Sequence, residues 1–98
     1  MKLYAIRRPR VGSTLEELQA AAARSKQVGD EEMSADIRWI RSYVVREQDG
    51  GLGTLCIYLA SSPEKIREHA ARAAIPATEI FDVADTLVVR PDPVAVAA

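Results

Sequence analysis

One histidine, one cysteine and a few aromatic and arginine side chains on predicted strands are the groups in this chain with chemistry to offer. His69 has an ordinary pKa of about 6.5, so it can act as a ligand-binding donor, a metal ligand or a general base near neutrality. Its spacing from Ile66 and Ala73 puts it on or beside the helix face that meets a sheet. There the structural alternative is a half-buried imidazole hydrogen-bonded to a carbonyl, a serine or a tyrosine. Spacing supplies no carboxylate partner: Glu68 is adjacent in sequence but points about 100° away around a helix. Cys56 would act as a nucleophile only with a base and a positive field to lower its pKa. Flanked by Leu55 and Ile57, it reads as a small core residue.

Tyr4, Trp39, Tyr43 and Tyr58 concentrate in the strands. Strict alternation puts Trp39 and Tyr43 on one face. Their packing role is in a core or a dimer contact. Their functional role is an apolar pocket in which tyrosine hydroxyls and His69 fix a small ligand. Arg7 and Arg41 are candidates to bind an anion together, against the alternative of ion pairs with Asp82, Asp85 or Glu47. The ligand-binding candidates are therefore Trp39, Tyr43, Tyr58, His69, Arg41 and Arg7. His69 is also the candidate metal ligand, and no catalytic set can be named.

Residues 2–7 alternate as a strand does, and Pro9 is expected to end regular pairing. Ser13 or Thr14, with Glu16 and Glu17 following, signals a helix start, and that helix is expected to run to about Gln27, with Gly29 as terminator. Leu15, Leu18, Ala22 and Ser25 form its predicted inner face. Residues 37–47 are rich in β-branched and aromatic types, and a turn over residues 48–53 leads back into a strand over residues 54–60. Ser62-Pro63 opens a second helix over about residues 63–74. A last strand falls within residues 79–89, around 80–83 and 86–89. Residues 1–90 are read as one domain, and the proline-bearing tail 91–98 is expected to be loose or to lie along a partner.

The order βαββαβ predicts an α+β, ferredoxin-like domain, with two helices on one face of a four-stranded antiparallel sheet. Both faces of the second and third strands are apolar, so a monomer leaves a patch wet, and a homodimeric α/β sandwich or barrel is expected. A chain of 98 residues has room for one core. A net charge of -1 supplies no global field for nucleic acid, although Arg7, Arg8 and Arg10 make the first strand locally positive. No apolar run approaches the roughly 18 residues of a membrane span, and the start MKLYAIRRPR lacks a signal peptide's apolar core. One thiol and one histidine supply neither an internal disulfide nor a Cys/His zinc site. Cytoplasmic residence is expected, with no nucleic-acid or membrane partner.

The chain resembles the small ferredoxin-like domains of unknown function whose namesake is a nickel-binding protein. Residues 2–83 carry the likeness. Its pieces are the alanine-rich helix Glu17-Leu18-Gln19-Ala20-Ala21-Ala22-Ala23-Arg24-Ser25, the strand Trp39-Ile40-Arg41-Ser42-Tyr43, Cys56-Ile57-Tyr58, Pro63 with Ile66-Arg67-Glu68-His69-Ala70, and Ala74-Ile75-Pro76-Ala77 through Ile80. The resemblance implies a compact dimeric sandwich and, in some members, bound nickel; it implies no established reaction. Nickel sites use several nitrogen and oxygen ligands. Here there is a single histidine, and Arg7, Arg8 and Arg41 would repel a cation. The expected function is a small-ligand or metal-ion-binding homodimer that takes a small molecule or anion. One alternative is a small enzyme whose dimeric cavity uses His69 or a tyrosine for proton transfer. The other is a structural or regulatory interaction domain.

Overall fold

The computed structural model describes residues 1–93. The elements are β1 (Lys2–Gly12), α1 (Leu15–Gln27), β2 (Ile37–Arg46), β3 (Leu52–Ala60), α2 (Pro63–Ala73) and β4 (Glu79–Asp82). The sheet order is β2-β3-β1-β4, with every neighbouring pair antiparallel. This is the ferredoxin-like arrangement. Tyr4, Ile6, Ile37, Cys56, Tyr58 and Ala60 of the sheet pack against Val28, Met33, Ile66 and Ala73 on its helical side.

Local chemistry explains where the helices start. Thr14 accepts a hydrogen bond from the Glu17 amide, while the Glu17 carboxylate accepts from the Ser13 and Thr14 amides. Orphan donors at the start of α1 are thereby satisfied. Ser62 caps α2 by accepting from the Lys65 amide, with Pro63 in the first turn. α1 buries Leu18, Ala21 and Ser25, whereas Leu15, expected inside, is exposed. Gly29 does not stop the chain's coiling. Residues Val28–Glu32 widen into a π-helical turn, and a methyl group at Gly29 would meet His69 and Ile37 at 3.7 Å, an ordinary van der Waals contact.

Strand lengths and parity differ from simple alternation in three places. β1 runs through Pro9, and its pairing with β3 is irregular between Arg8 and Gly12. A proline is tolerated where the ladder is already interrupted. In β2 the register slips between Trp39 and Arg41, so that Trp39 pairs with Tyr58 and Arg41 with Ile57, leaving Ile40 as the extra residue of a bulge. Side-chain parity reverses there. Ser42, opposite Cys56, shares the helical side with Trp39, whereas Tyr43, opposite Leu55, lies on the open side with Arg41. The expected sharing of a face by Trp39 and Tyr43 is thus overturned. Finally, β4 stops at Asp82; residues 86–89 form no strand, and Leu87, Val88 and Val89 are exposed.

The open side of the sheet carries Ala5, Leu55, Ile57, Leu59 and Phe81, joined by Tyr43. Part of the tail reading falls on residues 94–98, outside the described residues. Asp92 accepts hydrogen bonds from Tyr43 Oη at 2.7 Å and Arg41 Nη1 at 3.2 Å. The segment after β4 therefore reaches β2, at the opposite edge of the sheet.

Candidate functional site

Between α1 and the helical side of the sheet lies a cavity of about 480 Å³. α1 contributes Leu18, Ala21 and Ala22 on its small-residue face, and β2 contributes Trp39, Ile40 and Val44. The β2 bulge makes this wall: without the extra residue, Ser42 and Val44 would turn to the other side of the sheet. Tyr58, Cys56 and Thr54 form its floor on β3, and Arg8 enters from β1. A larger depression of about 820 Å³ beside the β2–β3 turn is bordered by Arg10 and Asp49. Those two side chains pair with each other at 3.2 Å on the surface, and the depression contains none of the aromatic groups.

The aromatic side chains of the wall are ordered by one another. The Trp39 and Tyr58 rings are nearly parallel, 9° apart in tilt with centroids 6.0 Å apart. Trp39 Nε1–H donates to Ser42 Oγ at 2.8 Å, and the Ser42 hydroxyl donates to Cys56 Sγ at 2.9 Å. Thr54 Oγ1 lies 3.2 Å from the same sulfur. These contacts engage the Trp39 N–H and the Ser42 and Thr54 hydroxyls on the helical side of β2 and β3, so the wall facing the cavity is largely apolar. Cys56 is buried among hydroxyls with no base beside it in this chain of contacts. That is the packing role anticipated for it.

His69 is fully buried on α2 but is not part of the cavity wall. Its Nε2 lies 3.0 Å from the Ser25 carbonyl and therefore carries the proton it donates there. Nδ1 has no partner and no access to water. Adding a second proton would place an N–H in that sealed position. Burial accordingly lowers the His69 pKa below its ordinary value and the positive charge of Arg8 lowers it further, with the bond to Ser25 opposing. Its ring contacts Tyr58 at 5.4 Å between centroids. The Tyr58 and Ser25 hydroxyls bond at 2.9 Å, and burial raises the Tyr58 pKa above its usual range against the opposing effects of Arg8 and Ser25. Trp39, Tyr58 and His69 are brought into one contact chain, of which two members face the cavity.

Arg7, Arg41 and Tyr43 lie elsewhere. Both Arg7 bonds to the Glu47 carboxylate come from Nη2, at 2.6 and 2.7 Å. Arg41 and Tyr43 bond Asp92 on the open side of the sheet. Arg41 also borders the mouth of the cavity, but its charge is already matched by Asp92.

Arg8 is the functional candidate that sequence reasoning passed over. It is 2% exposed. Nη1 donates to the Pro76 carbonyl at 2.8 Å, while Nε and Nη2, also buried, have no acceptor. Among the described residues no carboxylate pairs with it within 4.0 Å. Its guanidinium carbon stands 5.4 Å over the Tyr58 ring, a contact worth about 2 kcal/mol when desolvated. The penalty for burying an ion is several kcal/mol, roughly twice that or more. Even strand parity was the only available signal: Tyr4, Ile6 and Arg8 alternate toward the helices, and an arginine in such a series is out of place.

Among the described residues, no three His, Cys, Asp or Glu side chains gather to hold a metal ion. Residues 4–83 match the family described as nickel responsive protein SCO4226-like. The chain is also similar in fold to a crystal structure of SCO4226 from Streptomyces coelicolor A3(2). The TM-score is 0.69 at 20% sequence identity, covering 87% of this chain and 99% of that one. No curated protein matches the chain.

Proposed function

We propose, for a chain that belongs to the SCO4226-like family of nickel responsive proteins, that it is a binding domain which takes a small, mainly apolar molecule between α1 and the sheet and works as a homodimer. The observation that carries this reading is the 480 Å³ cavity walled by Trp39 and Tyr58, a size and lining suited to a small ligand. Exposed apolar side chains on the opposite side of the sheet, Leu55 and Phe81 among them, support pairing with a second copy.

Catalysis by proton transfer finds less support. His69 is sealed behind Ser25 and Tyr58 with its one N–H committed, so it is poorly placed to reach a substrate. Nickel does not fit the side chains present. The single histidine has Nε2 engaged and Nδ1 enclosed, and the unpaired charge of Arg8 opposes a cation in the neighbouring cavity. No step of the proposed function runs through a metal.

Trp39 is the single tryptophan, and its indole N–H gives one resonance in a nitrogen–proton correlation spectrum. Titration with cyclohexanecarboxamide, a neutral probe small enough for the cavity, should shift that resonance in a saturable way. A Trp39 resonance unmoved by this probe and by its carboxylate counterpart would remove the binding reading.

A further inference from the structure

We propose that Arg8 is an anion receptor built into the cavity, and that the natural ligand is a small monocarboxylate with an apolar body. The proposal deepens the binding reading and rests on it. Arginine has five N–H donors in a rigid fork, and its Nε and Nη2 edge presents two parallel donors that match the two oxygens of a carboxylate. In Arg8 this edge is the unused one: Nη1 is taken by Pro76, while Nε and Nη2 are left without acceptors. The side chain that owns them is 2% exposed and borders the cavity, and since both nitrogens are closed to water, a carboxylate reaches them by displacing the side chains that cover them.

The other cationic groups at the cavity are already matched. Lys26 pairs with Asp30 at 2.7 Å, and Arg41 with Asp92. One unmatched charge calls for one negative charge. A phosphate dianion would leave its second charge among apolar walls, where desolvation opposes it. The remaining space, bounded by Leu18, Ala21, Ala22, Ile40 and Val44, suits a compact aliphatic or aromatic body. The purely structural alternative holds that Arg8 only braces Pro76 against Tyr58 and recognises nothing.

The test compares cyclohexanecarboxylate, cyclohexanecarboxamide and inorganic phosphate on the wild-type protein at about pH 7.5, where the acid is fully ionised. Binding is read from the Trp39 indole resonance, with thermal shift as a second measurement. The carboxylate should bind at least about tenfold more tightly than the amide, as expected when a charged bidentate pair replaces a neutral bond. Arg8→Met should abolish that preference, so that acid and amide compete equally for what binding remains. Arg8→Lys, which keeps the charge but loses the fork, should bind the carboxylate with a reduced preference, and it decides the matter if the Met variant fails to fold. Equal binding of acid and amide to the wild type overturns the receptor while leaving the pocket standing. Tighter binding of phosphate overturns the ligand class, an undiminished preference in Arg8→Lys overturns the bidentate role, and silence from every probe overturns the pocket as well.

Discussion

His69 is kept neutral by its surroundings, and that has a consequence for stability. Its folded pKa lies below the unfolded value of about 6.5, so the unfolded chain takes up a proton first as pH falls. The stabilisation from neutral His69 is complete above pH 6.5 and is lost progressively below it, down to the lowered folded pKa. Urea unfolding should show a falling midpoint between about pH 7 and pH 5. In His69→Gln, which can still donate to the Ser25 carbonyl, that slope should flatten; an unchanged slope would assign the acid sensitivity to other groups. Spacing from Ile66 correctly directed His69 toward the sheet. Its exclusion from the cavity, and the presence of Arg8 there, depended on which neighbours Ser25, Tyr58 and Pro76 became, and chain-local spacing carries no such information.

At the level of elements, caps and turns were readable because they are satisfied within a few residues. Thr14 with Glu17 and Ser62 with Pro63 both mark helix starts at the positions their side chains require. The β2 bulge was not readable. It inserts one residue at Ile40 and turns Tyr43 outward, and its signal lies in how β2 meets β3 rather than in β2 itself. Gly53 on β3 shows the same dependence on a neighbour. A methyl group there would stand 2.7 Å from the Arg8 carbonyl oxygen and would collide with the Glu47 carboxylate, because the Arg7–Glu47 pair passes over β3. Gly53→Ala should lower stability by about 2 kcal/mol, the scale of an overpacked site, with a reduced denaturant midpoint as the measure. A midpoint within error of wild type would mean that the ion pair yields freely.

For the whole molecule, the two sides of the sheet have separate tasks. The helical side encloses the core and the cavity, while the other side presents Leu55, Ile57, Leu59 and Phe81 beside the Arg7–Glu47 and Arg41–Asp92 pairs. If that side joins two copies, the protein should run at dimer mass in light scattering at micromolar concentration. Leu55→Lys, placing a charge in the patch, should yield folded monomer with an unchanged far-ultraviolet circular dichroism spectrum; a wild-type monomer would end the dimer reading. The alternation of apolar residues along the strands, their helical spacing in α1 and α2, and the capping and turn residues by themselves determined the βαββαβ order, since each is a preference of a short segment for one local conformation. They also determined that both sides of β2 and β3 carry apolar residues. Tertiary structure alone decided which side each residue past Ile40 faces, that Arg7 and Arg41 find carboxylates, and that Arg8 finds none among the described residues. Those outcomes follow from strand register and from contacts between residues far apart in the chain, and they are what turn a common fold into a cavity with one unmatched charge.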